Sequence, residues 1–221
     1  MEREPLVRLG VALFLLAACS GPRCGASPAP AQSPATAATA ATAAPVVKPC
    51  VPLVLHASRG TAAMTGELDQ QGWHDAEATE PFTARRGAVA SHAEARAQWD
   101  DQALYLAVYV GDDELRADDL IRIELEGGAI EASPDKSLRC TFGGTTDCKA
   151  LGISAAFDLD GTVDQPGGED EEWLTELKIP WRAAAPDAGS RLPLGLSRRD
   201  VSLRGSLDLR WPTACGVLEL R

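Results

Sequence analysis

Between Ala103 and Val110 apolar residues fill both phases of an extended chain: Leu104, Leu106, Val108 and Val110 fall on one side, Ala103, Tyr105, Ala107 and Tyr109 on the other. Successive strand side chains point to opposite faces, so a run with no charge in either phase predicts a strand buried on both faces, mid-sheet and under a second layer. Trp99-Asp100-Asp101-Gln102 is the polar turn that feeds it, and Gly111-Asp112-Asp113-Glu114 stops it. A second segment, Trp173 to Trp181, keeps one apolar phase, with Trp173, Leu177 and Ile179 opposed to Glu176 and Lys178. That pattern predicts a strand with one face on the core and one in water, ended by Pro180.

Shorter period-two or apolar runs occur at 50–56, 94–99, 119–125, 138–142, 151–159, 192–196 and 207–220, separated by Gly, Pro or Asp clusters. Strands at this frequency, with almost no helical stripe between them, predict an all-β sandwich of two sheets, jelly-roll or immunoglobulin-like in architecture. Asp160-Gly161, between Ile153–Leu159 and Thr162-Val163, reads as a tight turn. Asp158-x-Asp160-Gly161 lacks the final Glu of a calcium loop and is expected to be a hairpin tip.

The start of the chain follows different rules. Leu9 to Leu16 is a short apolar run flanked by Arg3 and Arg8, which makes residues 1–18 a signal peptide. Leu16-Ala17-Ala18-Cys19 resembles a bacterial lipobox, in which Cys19 is diacylated and the new amino terminus acylated, giving a stable membrane anchor. An ordinary secretory signal with a chance Cys is the alternative. Ser20 after the lipidated Cys resembles the signal for sorting to the outer membrane of a Gram-negative cell, so the expected location is the cell envelope. Residues 19–49 then form a linker. Its stretch 25–45 is nearly all Ala, Pro, Ser and Thr, too poor in apolar area to offset chain entropy, and is expected to be a semi-extended tether. A marginal Ala-rich helix over 35–44 is the alternative. Residues 50–221 fit one domain.

Removing residues 1–18 takes away Arg3 and Arg8 together with Glu2 and Glu4, so the mature chain keeps the net charge of −11. That balance argues against a nucleic-acid partner, which would need a basic stripe. The chain has 6 Cys and leaves the reducing cytoplasm. Cys140 and Cys148 flank a Gly-rich turn, and Cys50 and Cys215 stand at terminal strands that often neighbour one another; both pairs are expected to be disulfides, leaving Cys24 in the tether. A metal site competes with this reading, but no C-x-x-C pair supports it. The chain carries no nucleophile elbow, H-E-x-x-H or Gly-rich phosphate loop, and a non-catalytic protein is expected. A pair of carboxylates suited to glycoside hydrolysis stays open in so acidic a sequence.

The order Gly66-Glu67-Leu68-Asp69 before Trp73, then Trp99-Asp100-Asp101-x-x-Leu104-Tyr105-Leu106-Ala107-Val108-x-Val110-x-Asp112, then Trp173-x-x-Glu176-x-x-Ile179-Pro180-Trp181 resembles the family 9 carbohydrate-binding modules. The resemblance covers roughly the last three-quarters of the chain. It implies a non-catalytic sandwich that binds a polysaccharide or glycan, with a role in carbohydrate binding or catabolism; such modules normally travel with a separate hydrolase domain. It assigns Arg139 to a strand position from which the family reaches ligand hydroxyls, puts Arg122 where the family has an acid, and makes Trp73 a packing residue. The family's clamp of two Trp is missing: Arg116-Ala117-Asp118-Asp119 stands where the first would precede its strand, and Trp211 runs almost directly into Cys215. Trp99, Trp173 and Trp181 belong to strand patterns, so Trp211 is left as the aromatic platform. Calcium is the cofactor implied, with Asp69 and backbone carbonyls as ligands, since Thr65 stands where the family often has its first Asp.

Two other functions compete. An envelope accessory that docks another protein would need no sugar site, and the missing clamp favours it. Related sandwiches can hold haem between a His and a Met, here Met64 with His56, His74 or His92.

Overall fold

A computed structural model describes residues 52–68, 71–81, 83–84, 92–112, 114–165, 172–202, 205–211 and 215–221. The elements in chain order are β1 (Leu53–Arg59), α1 (Gln71–His74), β2 (Thr83–Ala84), β3 (Ala93–Trp99), β4 (Ala103–Gly111), β5 (Leu120–Leu125), β6 (Gly128–Ala132), β7 (Leu138–Phe142), β8 (Ser154–Asp160), β9 (Glu172–Pro180), β10 (Arg191–Ser202), β11 (Gly205–Trp211) and β12 (Gly216–Leu220). Residues 1–49, where a signal peptide and a tether are expected, with Cys19 and Cys24 among them, and also Cys50 and Asp69 lie outside the described residues.

The strands form the expected β-sandwich, and the long β10 belongs to both of its sheets. Its first residues, Arg191 to Pro193, pair with β12, while Leu194 to Arg199 pair with β5. The first sheet therefore runs β10-β12-β1-β3-β4-β9-β8 and the second β7-β6-β5-β10-β11-β2. β1 is parallel to both β12 and β3; the other ladders are antiparallel. Between the sheets lies one apolar cluster that includes Trp99, Leu106, Val108, Ile121, Ile123, Ile130, Trp173, Leu196 and Leu218.

The doubly apolar run is β4, held between β3 and β9 and buried continuously from Ala103 to Val108. Its second face packs against a smaller cluster formed by Ala62, Trp73, Ala76, Tyr105, Ala107 and Leu174. This cover corrects the expectation that the Glu176 side of β9 is in water, because Glu176 is 0% exposed. Its carboxylate accepts hydrogen bonds from the Gly66 backbone N–H at 2.7 Å and from Trp73 Nε1 at 2.6 Å. Burial raises the Glu176 pKa, and these hydrogen bonds oppose the rise. Gly66 has φ 88, and an added Cβ would lie 3.1 Å from the Phe157 backbone, so the donor that meets Glu176 needs glycine. Lys178 keeps its ammonium over the Tyr105 ring at 5.8 Å.

Other expectations shift with the tertiary structure. β6 had no predicted counterpart, and the run 207–220 divides into β11 and β12. Asp160-Gly161 is not a tight turn into Thr162-Val163: Asp160 ends β8 opposite Glu172 of β9, and Gly161 opens the connection between the two strands. Cys140 and Cys148 form a disulfide. Cys215 is also disulfide-bonded. Leu53 sits opposite Gly216 in the β1–β12 ladder.

Candidate functional site

On the second sheet the inward phase carries Ile121, Ile123, Ile130, Cys140, Leu196, Arg198, Leu209 and Trp211, all buried. The outward phase is polar. Strand register aligns Arg139 with Glu131, Glu131 with Arg122, Arg122 with Ser197 and Ser197 with Arg210, a single row across β7, β6, β5, β10 and β11. Beside it Leu120 opposes Arg199, which opposes Asp208. On the other side Gly195 opposes Glu124. Along this face run two concavities of about 380 and 300 Å³ that share Arg122, Ser197 and Arg210.

The sequence-predicted residues Arg122 and Arg139 are therefore brought together, two strands apart in one row. Arg122 is anchored: Nε donates to Glu124 Oε1 at 3.0 Å and Nη1 to Glu131 Oε1 at 2.5 Å. The hydrogen bond to Glu124, then that to Glu131, raises its pKa against the opposing effect of burial. Arg139 is exposed on the edge strand β7. Neither the Arg139 nor the Arg199 side chain makes a hydrogen bond or ion pair among the described residues, and both residues are exposed, so each guanidinium is open to a ligand.

Trp211 is a correction. It is 3% exposed and belongs to the core between the sheets, so it offers no platform to a sugar ring. Its ring lies against β12, where a Cβ on Gly216 would fall 2.6 Å from it and 2.2 Å from the Leu194 carbonyl. The alternation Leu209-Arg210-Trp211 holds the signal that was missed: Trp211 is in phase with Leu209, and Arg210 takes the outward position. Glu131 was hidden with the rest of β6. Arg199 and Ser197 share a phase that becomes legible only once β10 is known to extend past Leu196.

The remaining Trp are placed elsewhere. Trp73, Trp99 and Trp173 are buried. Trp181 is half-buried, and its Nε1 donates to the Asp100 carbonyl at 2.8 Å. The outward face of the second sheet thus bears no Trp among the described residues.

Beneath the face, Asp112, Asp119 and Asp200 bring carboxylate oxygens within 4.8 Å of one another. Arg198 points into this group from β10, ion-paired with Asp112 and 3.4 Å from Asp200, so a guanidinium supplies positive charge there. Asp119 accepts from Val201 N at 2.6 Å and from Arg116 N at 2.8 Å. Burial pushes its pKa up to about 7. The residues named for a haem site occupy separate places: His56 on β1 lies 3.6 Å from Glu219, His74 ends α1 in an exposed position, and His92 contacts Glu94 at 3.2 Å. Met64 packs on the Trp73 cluster.

No family model matches the chain, and no curated protein does. Among solved structures, it is similar to a family 9 carbohydrate-binding module from Caldicellulosiruptor kristjanssonii in complex with cellotriose, with a TM-score of 0.59 and 16% identity over 76% of this chain and 94% of that one. The same organism's module in complex with glucose matches with a TM-score of 0.60 and 17% identity, over 76% and 96% of the two chains. A structure from Bacteroides uniformis matches with a TM-score of 0.53 and 15% identity, over 76% and 99%. At these identities the likeness establishes a shared fold.

Proposed function

We propose that this domain is a non-catalytic carbohydrate-binding module, displayed on the cell envelope as a lipoprotein, which takes a glycan on the outward face of its second sheet. The observation that carries the reading is the row Arg139–Glu131–Arg122–Ser197–Arg210, set along a concave sheet face. Guanidinium groups donate in a fixed fork that suits paired hydroxyl or carboxylate oxygens, and a flat sheet can present several of them to an extended chain. The shared fold with modules solved bound to cellotriose and glucose supports a saccharide partner. Lipid display rests on Leu16-Ala17-Ala18-Cys19 and the Pro- and Ala-rich tether that follows it. Without a stacking ring, affinity depends on hydrogen bonds that compete with water, so binding is expected to be weak.

A glycan array probed with the purified chain tests this reading. Arg139→Ala should abolish or strongly weaken binding while leaving thermal unfolding unchanged. Binding that survives Arg139→Ala together with Arg122→Ala would put the site elsewhere. The absence of a Trp on this face also favours a second reading, in which the face docks another envelope protein; silence on every glycan would select it.

A further inference from the structure

We infer that the arginine face is built for an acidic polysaccharide whose sugars carry carboxylates at regular intervals. This rests on the reading that the face binds glycan and adds the class of glycan.

The first observation is where the positive charge lies. In a chain of net charge −11, Arg122, Arg139, Arg199 and Arg210 all lie on this one face, against Glu124, Glu131 and Asp208. The choice of side chain is the second. β5, β6, β7, β10 and β11 contain no Lys, so every cation these five strands present is a guanidinium, the group that binds a carboxylate through two parallel N–H donors. Neutral sugars are served by the opposite arrangement, aromatic rings with a few aimed polar groups, and here the rings are turned into the core.

Spacing is the third. Arg139 and Arg122 stand two strands apart, as do Arg122 and Arg210, which at the ordinary strand separation puts successive guanidinium origins about 10 Å apart. That is close to the rise of a disaccharide in an extended pyranose chain, so a chain lying across the strands would meet a cation at each second sugar. Arg122 is already held by Glu124 and Glu131, and a ligand carboxylate must compete with them. Arg139 and Arg199, open among the described residues, make the first contacts. Salt weakens contact pairs of this kind less than it weakens repulsion from acids elsewhere on the chain, which is screened beyond about 8 Å.

The full chain in detergent, run by affinity electrophoresis through polygalacturonate, alginate, their carboxyl-reduced forms, xylan and β-glucan, decides the matter. Retardation is expected on the two polyuronates. At least a tenfold loss should follow carboxyl reduction of the polymer, and a similar loss Arg139→Gln combined with Arg199→Gln, a pair of exposed substitutions whose folding is checked by an unchanged melting curve. Equal affinity for neutral xylan or glucan that survives both substitutions would overturn the acidic class and leave the glycan reading standing. Equal retardation by DNA of matched charge would overturn it as well, by showing generic polyanion binding. No retardation by any glycan would sink both readings together.

Discussion

Asp119 and Glu176 are both buried carboxylates whose pKa burial raises and N–H donors hold back, and each carries a prediction of its own. Asp119 sits beside Asp112 as well as Arg198, and burial is the largest cause of its rise from 3.8 to about 7. A folded-state pKa above the unfolded one means that the folded protein binds the proton more tightly. Its contribution to stability is therefore fully present below about pH 4 and is lost as pH rises toward 7. Urea unfolding at a series of pH values should show this slope in the parent chain and a flatter one in Asp119→Asn; equal slopes would remove the assignment. Glu176 meets two N–H donors with two carboxylate oxygens. Glu176→Gln turns an amide N–H₂ toward one of those donors, which should cost about 1–3 kcal/mol in the same measurement.

At the scale of the elements, Trp211 separates a platform from a core residue. With its ring between β11 and β12 and only 3% exposed, Trp211→Ala should open a cavity and cost about 3–5 kcal/mol. A platform would show the reverse, full stability with lost binding. The Cys140–Cys148 bridge ties the edge strand β7 to the turn that follows it. Closing so short a loop is worth about 2–3 kcal/mol by the loop-entropy relation. A Cys140→Ala, Cys148→Ala chain should lose that much in denaturant unfolding, and Arg139, next to the bridge on β7, should bind more weakly once its strand is less fixed.

For the whole molecule, the prediction concerns where the domain is held. The proposed anchor is Cys19, and the proposed role of residues 19–49 is to let the sandwich reach a polymer for which weak binding is expected. Attachment raises the local concentration, so weak single contacts along one polymer suffice when many copies share a surface. Cys19→Ala should move the protein from the detergent phase to the aqueous phase on partitioning. Unchanged partitioning would remove the lipid anchor from the proposal.

Period-two alternation made the strands legible, because burial on a sheet depends on phase and phase can be read from neighbouring residues. That is why β4, β5, β7 and β9 were each found, and why the Gly-rich turn between Cys140 and Cys148 pointed to a bridge. β6 escaped because Gly128-Ala129-Ile130-Glu131-Ala132 is too small-residued to alternate visibly. Its Gly128 is required by its cross-strand partner, since a Cβ there would fall 2.3 Å from the Phe142 ring. The sequence by itself thus determined the fold class and the core phases of most strands, and the family resemblance it carries named two of the arginines proposed for the site. Only the tertiary structure decided that the side of β9 carrying Glu176 is covered, that Trp211 turns inward and that Arg139, Arg122, Arg199 and Arg210 share one face. Those facts depend on which strands neighbour each other, and β10 passing from one sheet to the other sets that order through contacts far apart in the chain, which no local pattern of residues encodes.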